Sequence, residues 1–293
     1  MLGFNEVIDT ICSSNNEVIN TIRSSGNEVI DTIRVTSNEV IAAFHISQIC
    51  DERKASFVGN GLHVQIYPDK DYPFTRFTIA NDKGAMFDEH LYCSHLALGK
   101  LLTEYKFENI LEIGSRNGCA ARAFAFAGKN ITTVEIAEGF EAQYNMDYLD
   151  AKFEQPFDAI WCSHVLEHQR HIGKFCEKLF SDLKEGGVLA ITVPENPTTL
   201  MLGHCITFTS LHLIYHLILA GFDCSEACVR QYDYNISCIV TKKSNGIPPL
   251  TYAAHPNDIP DLPRFFPSAI SNAFTSGWHA DGRAMSKAKY NWE

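Results

Sequence analysis

Residues 109–118 read Asn-Ile-Leu-Glu-Ile-Gly-Ser-Arg-Asn-Gly, and the fold follows from how that stretch is built. The short apolar run Asn109–Ile113 stops at a glycine, and Ala120–Ala127 beyond it has the composition of a helix. A run of that length bounded by turn residues reads as a buried strand. Gly114 and Gly118 at a strand-to-helix turn permit tight backbone angles and let a ligand approach the main chain, while the helix N-terminus offers free N–H groups. The next run, Ile131-Thr-Thr-Val-Glu135, is strand-like and ends in an acid about 20 residues past the glycine turn, where a carboxylate can accept hydrogen bonds from a ribose diol. Strand, glycine turn, helix, strand and acid in that order point to an adenosine-type ligand.

The pattern continues outward from this unit. Phe157–Cys162 reads as a strand, Gly173–Leu183 as a helix, Val188–Val193 as a buried strand, Ser210–Ala220 as a helix and Tyr234–Thr241 as a closing strand. Glu185-Gly-Gly187 reads as a turn. On the N-terminal side, Leu62–Tyr67 alternates apolar and polar residues, Phe74–Ile79 is a second strand, and Pro68–Asp71 carries turn chemistry. Asp88–Phe107 has a helical pattern, with Leu91, His95, Leu98, Leu101 and Leu102 along one side. Alternating strands and helices with short connections predict an α/β fold, a doubly wound and mostly parallel sheet covered on both faces. Ligands of such sheets bind beyond the carboxyl ends of the strands.

The first 45 residues are of another kind. Asn-Glu-Val-Ile recurs at Asn5, Asn16, Asn27 and Asn38, a strict period of 11 that keeps Val7, Ile8 and Ile11 and their counterparts in one helical stripe. Such a period favours a straight or right-handed supercoil, and a lone helix cannot bury its own stripe. A helical coiled coil that assembles copies of the chain through residues 4–44 is the expectation. Capping-box sequences at Ser14–Glu17, Ser25–Glu28 and Thr36–Glu39 leave short, broken helices as the alternative. The chain therefore divides into a helical oligomerisation repeat (1–48), connecting strands (49–87), an α/β core (88–245) and a Pro- and aromatic-rich extension (246–293).

Composition narrows the function. The formal charge is −11, with Asp+Glu 35 against Lys+Arg 24 in 293 residues, which argues against nucleic acid as a partner. No apolar run is long enough to span a membrane, and the N-terminus lacks the basic and apolar regions of an export signal. A cytoplasmic protein with ten reduced, mostly buried cysteines is expected.

Taken together, Leu111–Gly118, Val134-Glu-Ile136, Phe157-Asp-Ala-Ile-Trp-Cys-Ser-His-Val-Leu-Glu-His168, Leu183–Pro194 and His204–Thr209 through Ala220-Gly-Phe222 resemble the class I S-adenosylmethionine-dependent methyltransferases, over roughly residues 90–242. The Val-Leu-Glu-His signature is similar to that of the branch acting on small molecules and sugars. The resemblance implies a Rossmann-like core with S-adenosylmethionine as cofactor. It implies that Gly114 and Gly118 bring the loop against the methionine part, that Glu135 binds the ribose hydroxyls, that Asp147 and Tyr148 line the adenine pocket, that Cys162 and Ser163 face the sulfonium, and that Glu112, Ser115 and Ile136 also belong to the cofactor site. Arg116 stands where many members have a glycine.

Methyl transfer from a sulfonium needs an aligned acceptor and, for a hydroxyl, removal of its proton. His164, Glu167 and His168 lie at i, i+3 and i+4, on one face of a helix expected to open after the cofactor strand. They are candidates for the general base, or Glu167 and His168 for ligands of a divalent metal that acidifies a hydroxyl; orienting and packing roles stay open beside these. His204 is a candidate for lining the acceptor pocket. His164-Val-Leu-Glu-His168 also spells an inverted zinc-peptidase motif, but it follows a strand that carries Asp158 in the methyltransferase pattern. Cys224 and Cys228 lack zinc-ribbon spacing. The expected activity is O-methylation of a small polar acceptor such as a sugar or glycan precursor. The alternatives are N- or C-methylation of another metabolite, or a non-catalytic scaffold that binds the cofactor.

Overall fold

The computed structural model describes residues 55–67, 74–195, 201–247, 262–271 and 289–292. The eleven-residue repeat and its expected coiled coil lie outside the described residues, as does most of the extension after residue 247.

Strands β1 (Ala55–Gly59), β2 (Leu62–Tyr67), β3 (Phe74–Asn81) and β4 (Met86–Tyr92) form an antiparallel sheet in that order. Asn60 and Gly61, both at positive φ, make the two-residue turn that joins β1 to β2, the turn chemistry that matches the twist of a hairpin. Residues 88–92, expected to begin a helix, instead complete β4, with Asp88 opposite Thr78 and Leu91 opposite Thr75. The chain then breaks at Cys93 and Ser94, two consecutive non-glycine residues at positive φ (49° and 40°), and helix α1 starts at His95 and runs to Glu104. The boundary expected at residue 88 thus falls inside a strand. Leu91 satisfies both a two-residue and a helical spacing, and pairing with β3 decides between them.

The rest of the described chain is the α/β unit. Strands β5 (Asn109–Ile113), β6 (Asn130–Glu135), β7 (Tyr144–Asn145), β8 (Phe157–Ser163), β9 (Leu183–Pro194), β10 (Cys228–Tyr232), β11 (Asn235–Thr241) and β12 (Lys289–Tyr290) lie in the order β12-β10-β11-β9-β8-β5-β6-β7. The pairs from β9 through β7 are parallel; β11 joins β9, and β10 joins β11 and β12, in antiparallel fashion. Glu185–Gly187, read as a turn, lies within β9, where the register against β8 jumps between Leu183 and Val188.

Helices α2 (Cys119–Phe126), α3 (Ile172–Asp182), α4 (Ser210–Leu219) and the short α5 (Ser268–Ser271) complete the set. Residues along the central strands alternate between two buried clusters. Leu111, Ile160 and Ile191 pack with Phe175 and Leu179 of α3 and Leu213 of α4. Ile110, Trp161 and Ala190 pack with α1, α2 and the inner face of β2 and β3. Both faces are covered, so the sheet is doubly wound. From β5 the chain moves outward to β6 and β7, and β8 returns to the other side of β5. The gap between the carboxyl ends of β5 and β8 is therefore the switch point at which such sheets bind ligands.

At the opposite end of these strands, Asp158 fastens the sheet. Its carboxylate accepts from the backbone N–H groups of Asn109 (2.8 Å) and Glu108 (3.3 Å) and from Lys184 Nζ (2.6 Å). Burial would raise its pKa, but Lys184 and the Asn109 amide outweigh that and hold it at about 2. A carboxyl held below its unfolded value stabilises the fold above that value and loses the contribution as pH falls toward 2. Asp158→Asn therefore lowers unfolding free energy by about 1–2 kcal/mol at pH 7. In chemical denaturation, the difference from wild type closes as pH drops from about 4 to 2; a pH-independent difference would exclude this origin.

Candidate active site

The turn after β5 is held by its neighbours. Gly114 N–H donates to Val134 C=O (2.9 Å) and Gly118 N–H to Ser115 C=O (2.8 Å). Gly114 has φ 77°, and a Cβ there would come within 2.4 Å of Val165 Cγ2. Only glycine lets the loop lie against the segment that follows β8. Gly118 caps α2 without a side chain. Glu112, buried in β5, supplies the missing acceptor to the Ala121 N–H, and burial pushes its carboxyl up to about 8. Ser115 is buried, and its Oγ has no hydrogen-bond partner among the described residues.

Glu135 ends β6 beside this loop. One carboxylate oxygen accepts from Arg116 N–H (2.7 Å) and the other from Ala137 N–H (2.7 Å), so the acid ties the glycine loop to the end of its own strand. Each oxygen keeps a further lone pair for another donor. Arg116 makes this bond from positive φ (42°) with an exposed side chain, so the departure from glycine costs backbone strain while the N–H is used. Ile136 is 68% exposed, an apolar face next to the acid.

Two of the expected contacts with the cofactor take another form. Tyr148 is buried, stacks among Phe153 and Phe175, and donates its hydroxyl to Asp182 Oδ2 (2.8 Å). Its ring is part of the core, because β7 and the loop after it fold back onto α3. Cys162 is likewise fully buried in the core on the α3 face, and burial raises its thiol well above the ordinary range. Strand alternation turns Cys162 inward and leaves the next residue, Ser163, at the edge. Ser163 Oγ bonds Ser94 Oγ (3.0 Å) and Thr192 Oγ1 (2.9 Å), which anchors the Cys93–Ser94 break over the end of β8. Asp147 is half-buried and accepts from Leu149 N–H (2.9 Å).

The segment after β8 is a single 3₁₀ turn, Leu166–His168, in place of the expected longer helix. His164 enters it at positive φ (53°), with its N–H on Thr192 C=O (3.0 Å). Glu167 is 1% exposed, and its Oε1 faces His164 Nδ1 at 3.3 Å and His168 Nε2 at 3.9 Å. Its Oε2 has no hydrogen-bond partner among the described residues. His164 Nε2 lies 2.9 Å from Asn235 Oδ1, and Asn235 Nδ2 donates to Ser237 Oγ (2.7 Å), so the amide oxygen is turned to the imidazole and Nε2 donates. His168 Nδ1 donates to Gly203 C=O (2.8 Å). Cys205 N–H donates to Glu167 C=O (2.7 Å), which brings residues 203–205 against the turn, and the rings of His168 and His204 meet edge-on at 4.9 Å. Burial lowers the pKa of His204, leaving it a neutral imidazole at pH 7.

All four candidates for the chemistry thus meet at one place. Tyr92, Ser94, Thr192 and Asn235 join them without a local sequence signal; Tyr92 packs edge-on to His164 at 5.3 Å. Each arrives from a separate strand or loop.

Residues 81–226 match the family model for a methyltransferase domain. This stretch is a methyltransferase domain. The match takes in the glycine turn, Glu135, the 164–168 turn and His204, while Asn235 lies beyond it. No curated protein matches the chain.

Among solved structures, the 1,6-didemethyltoxoflavin-N1-methyltransferase of Burkholderia thailandensis, with bound 1,6-didemethyltoxoflavin and S-adenosylhomocysteine, is 17% identical, with 47% of this chain and 72% of that one covered and a TM-score of 0.41. The N-methyltransferase NodS of Bradyrhizobium japonicum, in complex with S-adenosylhomocysteine, is 17% identical over 50% of this chain and 85% of that one, at a TM-score of 0.43. Human N-acetylserotonin methyltransferase, in complex with SAM, is 16% identical over 51% and 50%, at 0.39. Among the described residues, no helix is long and apolar enough to cross a membrane. The eight described cysteines are unpaired, and six of them are buried.

Proposed function

We propose that the methyltransferase domain transfers a methyl group from S-adenosylmethionine to a hydroxyl of a small polar acceptor, with a sugar or glycan precursor as the acceptor class. The residues at the switch point suit that cofactor: a buried Ser115 Oγ without a partner, a glycine where a Cβ would foul Val165, and an acid flanked by an exposed isoleucine. S-adenosylmethionine supplies, when bound, a methyl group on a cationic sulfur, a leaving group that needs no further activation. The chain's own work is then to hold and align. Glu135 accepts from the ribose hydroxyls with its remaining lone pairs, Ile136 covers one side of the base, and the Gly114–Ser115 main chain backs the methionine end.

One apposition supports the transfer: Val165, next to His164, lies against Gly114, so the Glu167–histidine cluster and the cofactor turn share a wall. A buried carboxylate facing two imidazole nitrogens is suited to take a proton from a hydroxyl as its oxygen attacks the methyl carbon. An amine acceptor would offer its own lone pair and need less of this apparatus.

The test is transfer of labelled methyl from S-adenosylmethionine by the full chain across a panel of sugars, sugar nucleotides and amines. Label on a hydroxyl-bearing sugar derivative is expected. Label confined to amines would overturn O-methylation.

A further inference from the structure

Glu167 Oε1 looks at two imidazole nitrogens whose rings are already committed on the far side. His168 gives its Nδ1 proton to the Gly203 carbonyl, an atom that can only accept, so in the neutral ring Nε2 carries a lone pair and points it at a carboxylate oxygen 3.9 Å away. At that distance the two atoms form no hydrogen bond. His204 stands beside them: one ligand atom each from Glu167, His168 and His204 lies within 4.8 Å of the others. The second carboxylate oxygen, Oε2, is buried without a partner among the described residues. A buried carboxylate oxygen without a partner, set beside imidazole rings, suits a positive centre.

We propose that Glu167, His168 and His204 hold one divalent transition-metal ion. The supporting contacts are those such ligands need. A ligating histidine fixes its tautomer by donating its other N–H to a carbonyl, as His168 does to Gly203, and the 2.7 Å bond from Cys205 N–H to Glu167 C=O locks the two contributing segments together. Metal–nitrogen and metal–oxygen bonds of about 2.0–2.2 Å set tetrahedral ligand atoms about 3.4 Å apart, so binding would contract the cluster by up to about 1.4 Å. Two imidazoles and one carboxylate favour zinc, cobalt, manganese or iron(II) over magnesium, which prefers oxygen and water. Three protein ligands leave positions open for hydroxyl oxygens of the acceptor, and an ion there would lower a hydroxyl's pKa without a redox step. The placing of the acceptor on the ion rests on the methyl-transfer reading; the ion site itself does not.

The full chain, stripped with chelator, is titrated with Co²⁺ alone and followed by its visible d–d absorption, with and without S-adenosylhomocysteine. One equivalent per chain is expected, with bands of nitrogen and oxygen ligands. Glu167→Gln, His168→Ala and His204→Ala each weaken that binding by at least the roughly 10–100-fold that loss of an outer-shell partner costs. Unchanged affinity of each variant for S-adenosylhomocysteine shows that it is folded. Failure of the folded wild type to take up Co²⁺, thiolate charge-transfer bands, or wild-type affinity in His204→Ala would overturn the site. Loss of S-adenosylhomocysteine binding with Co²⁺ uptake intact would leave the ion site standing and remove the methyl-transfer reading.

Discussion

Glu135→Ala weakens the binding of S-adenosylhomocysteine by about a hundredfold or more, the largest effect expected of any single change on the cofactor side. The carboxylate makes two charge-assisted hydrogen bonds, to the backbone N–H groups of Arg116 and Ala137. Each such bond contributes about 1.5–3 kcal/mol, and 1.4 kcal/mol is tenfold in affinity. Without them the glycine turn loses its tie to β6 at the same moment as the ribose loses its acceptor. Glu135→Gln keeps one acceptor oxygen and loses the charge, and falls between the two, at about tenfold. The order wild type, Gln, Ala is the result to look for in calorimetry. Wild-type affinity in the alanine variant would show that the nucleoside is held elsewhere.

Glu167→Gln has the largest effect on turnover. The amide matches the carboxylate in shape but can neither hold an acceptor's proton nor serve as an anionic ligand to a metal ion, and it presents an N–H₂ where two histidine nitrogens now face an anion. Loss of a positioned acid–base group costs about 10²–10⁴ in rate. Methyl transfer falls by that factor while S-adenosylhomocysteine affinity stays within about threefold, because among the described residues Glu167 makes no hydrogen bond to the Gly114–Gly118 turn or Glu135. Turnover within about threefold of wild type would remove Glu167 from the chemistry.

Much of this was legible in the chain itself, for reasons that can be located. Asn109–Gly118 and Ile131–Glu135 carry their structure locally: an apolar run, glycines at positive φ, and an acid at a strand end. Helices α2, α3 and α4 begin and end within a residue or two of the positions their patterns imply.

What could not be read depends on tertiary contact. Asn235 meets His164 only because β11 pairs with β9 in one register, and nothing near residue 235 signals that. Likewise, His204 reaches His168 through a bond from Cys205 N–H to Glu167 C=O across separate loops. Tyr148 and Cys162 went to the core because burial of an aromatic ring and a small thiol outweighs their position next to the site. The same competition decided residues 88–92, where a strand partner took a pattern that a helix could also have used.

We propose that Gly114, Ser115 and Glu135 grip an adenosyl nucleoside at the carboxyl ends of β5 and β6. Isothermal titration of the purified full chain with S-adenosylhomocysteine tests it most directly. One equivalent bound per chain, lost in Glu135→Ala, is the predicted result. A folded wild-type chain that takes up none of the nucleoside would contradict it.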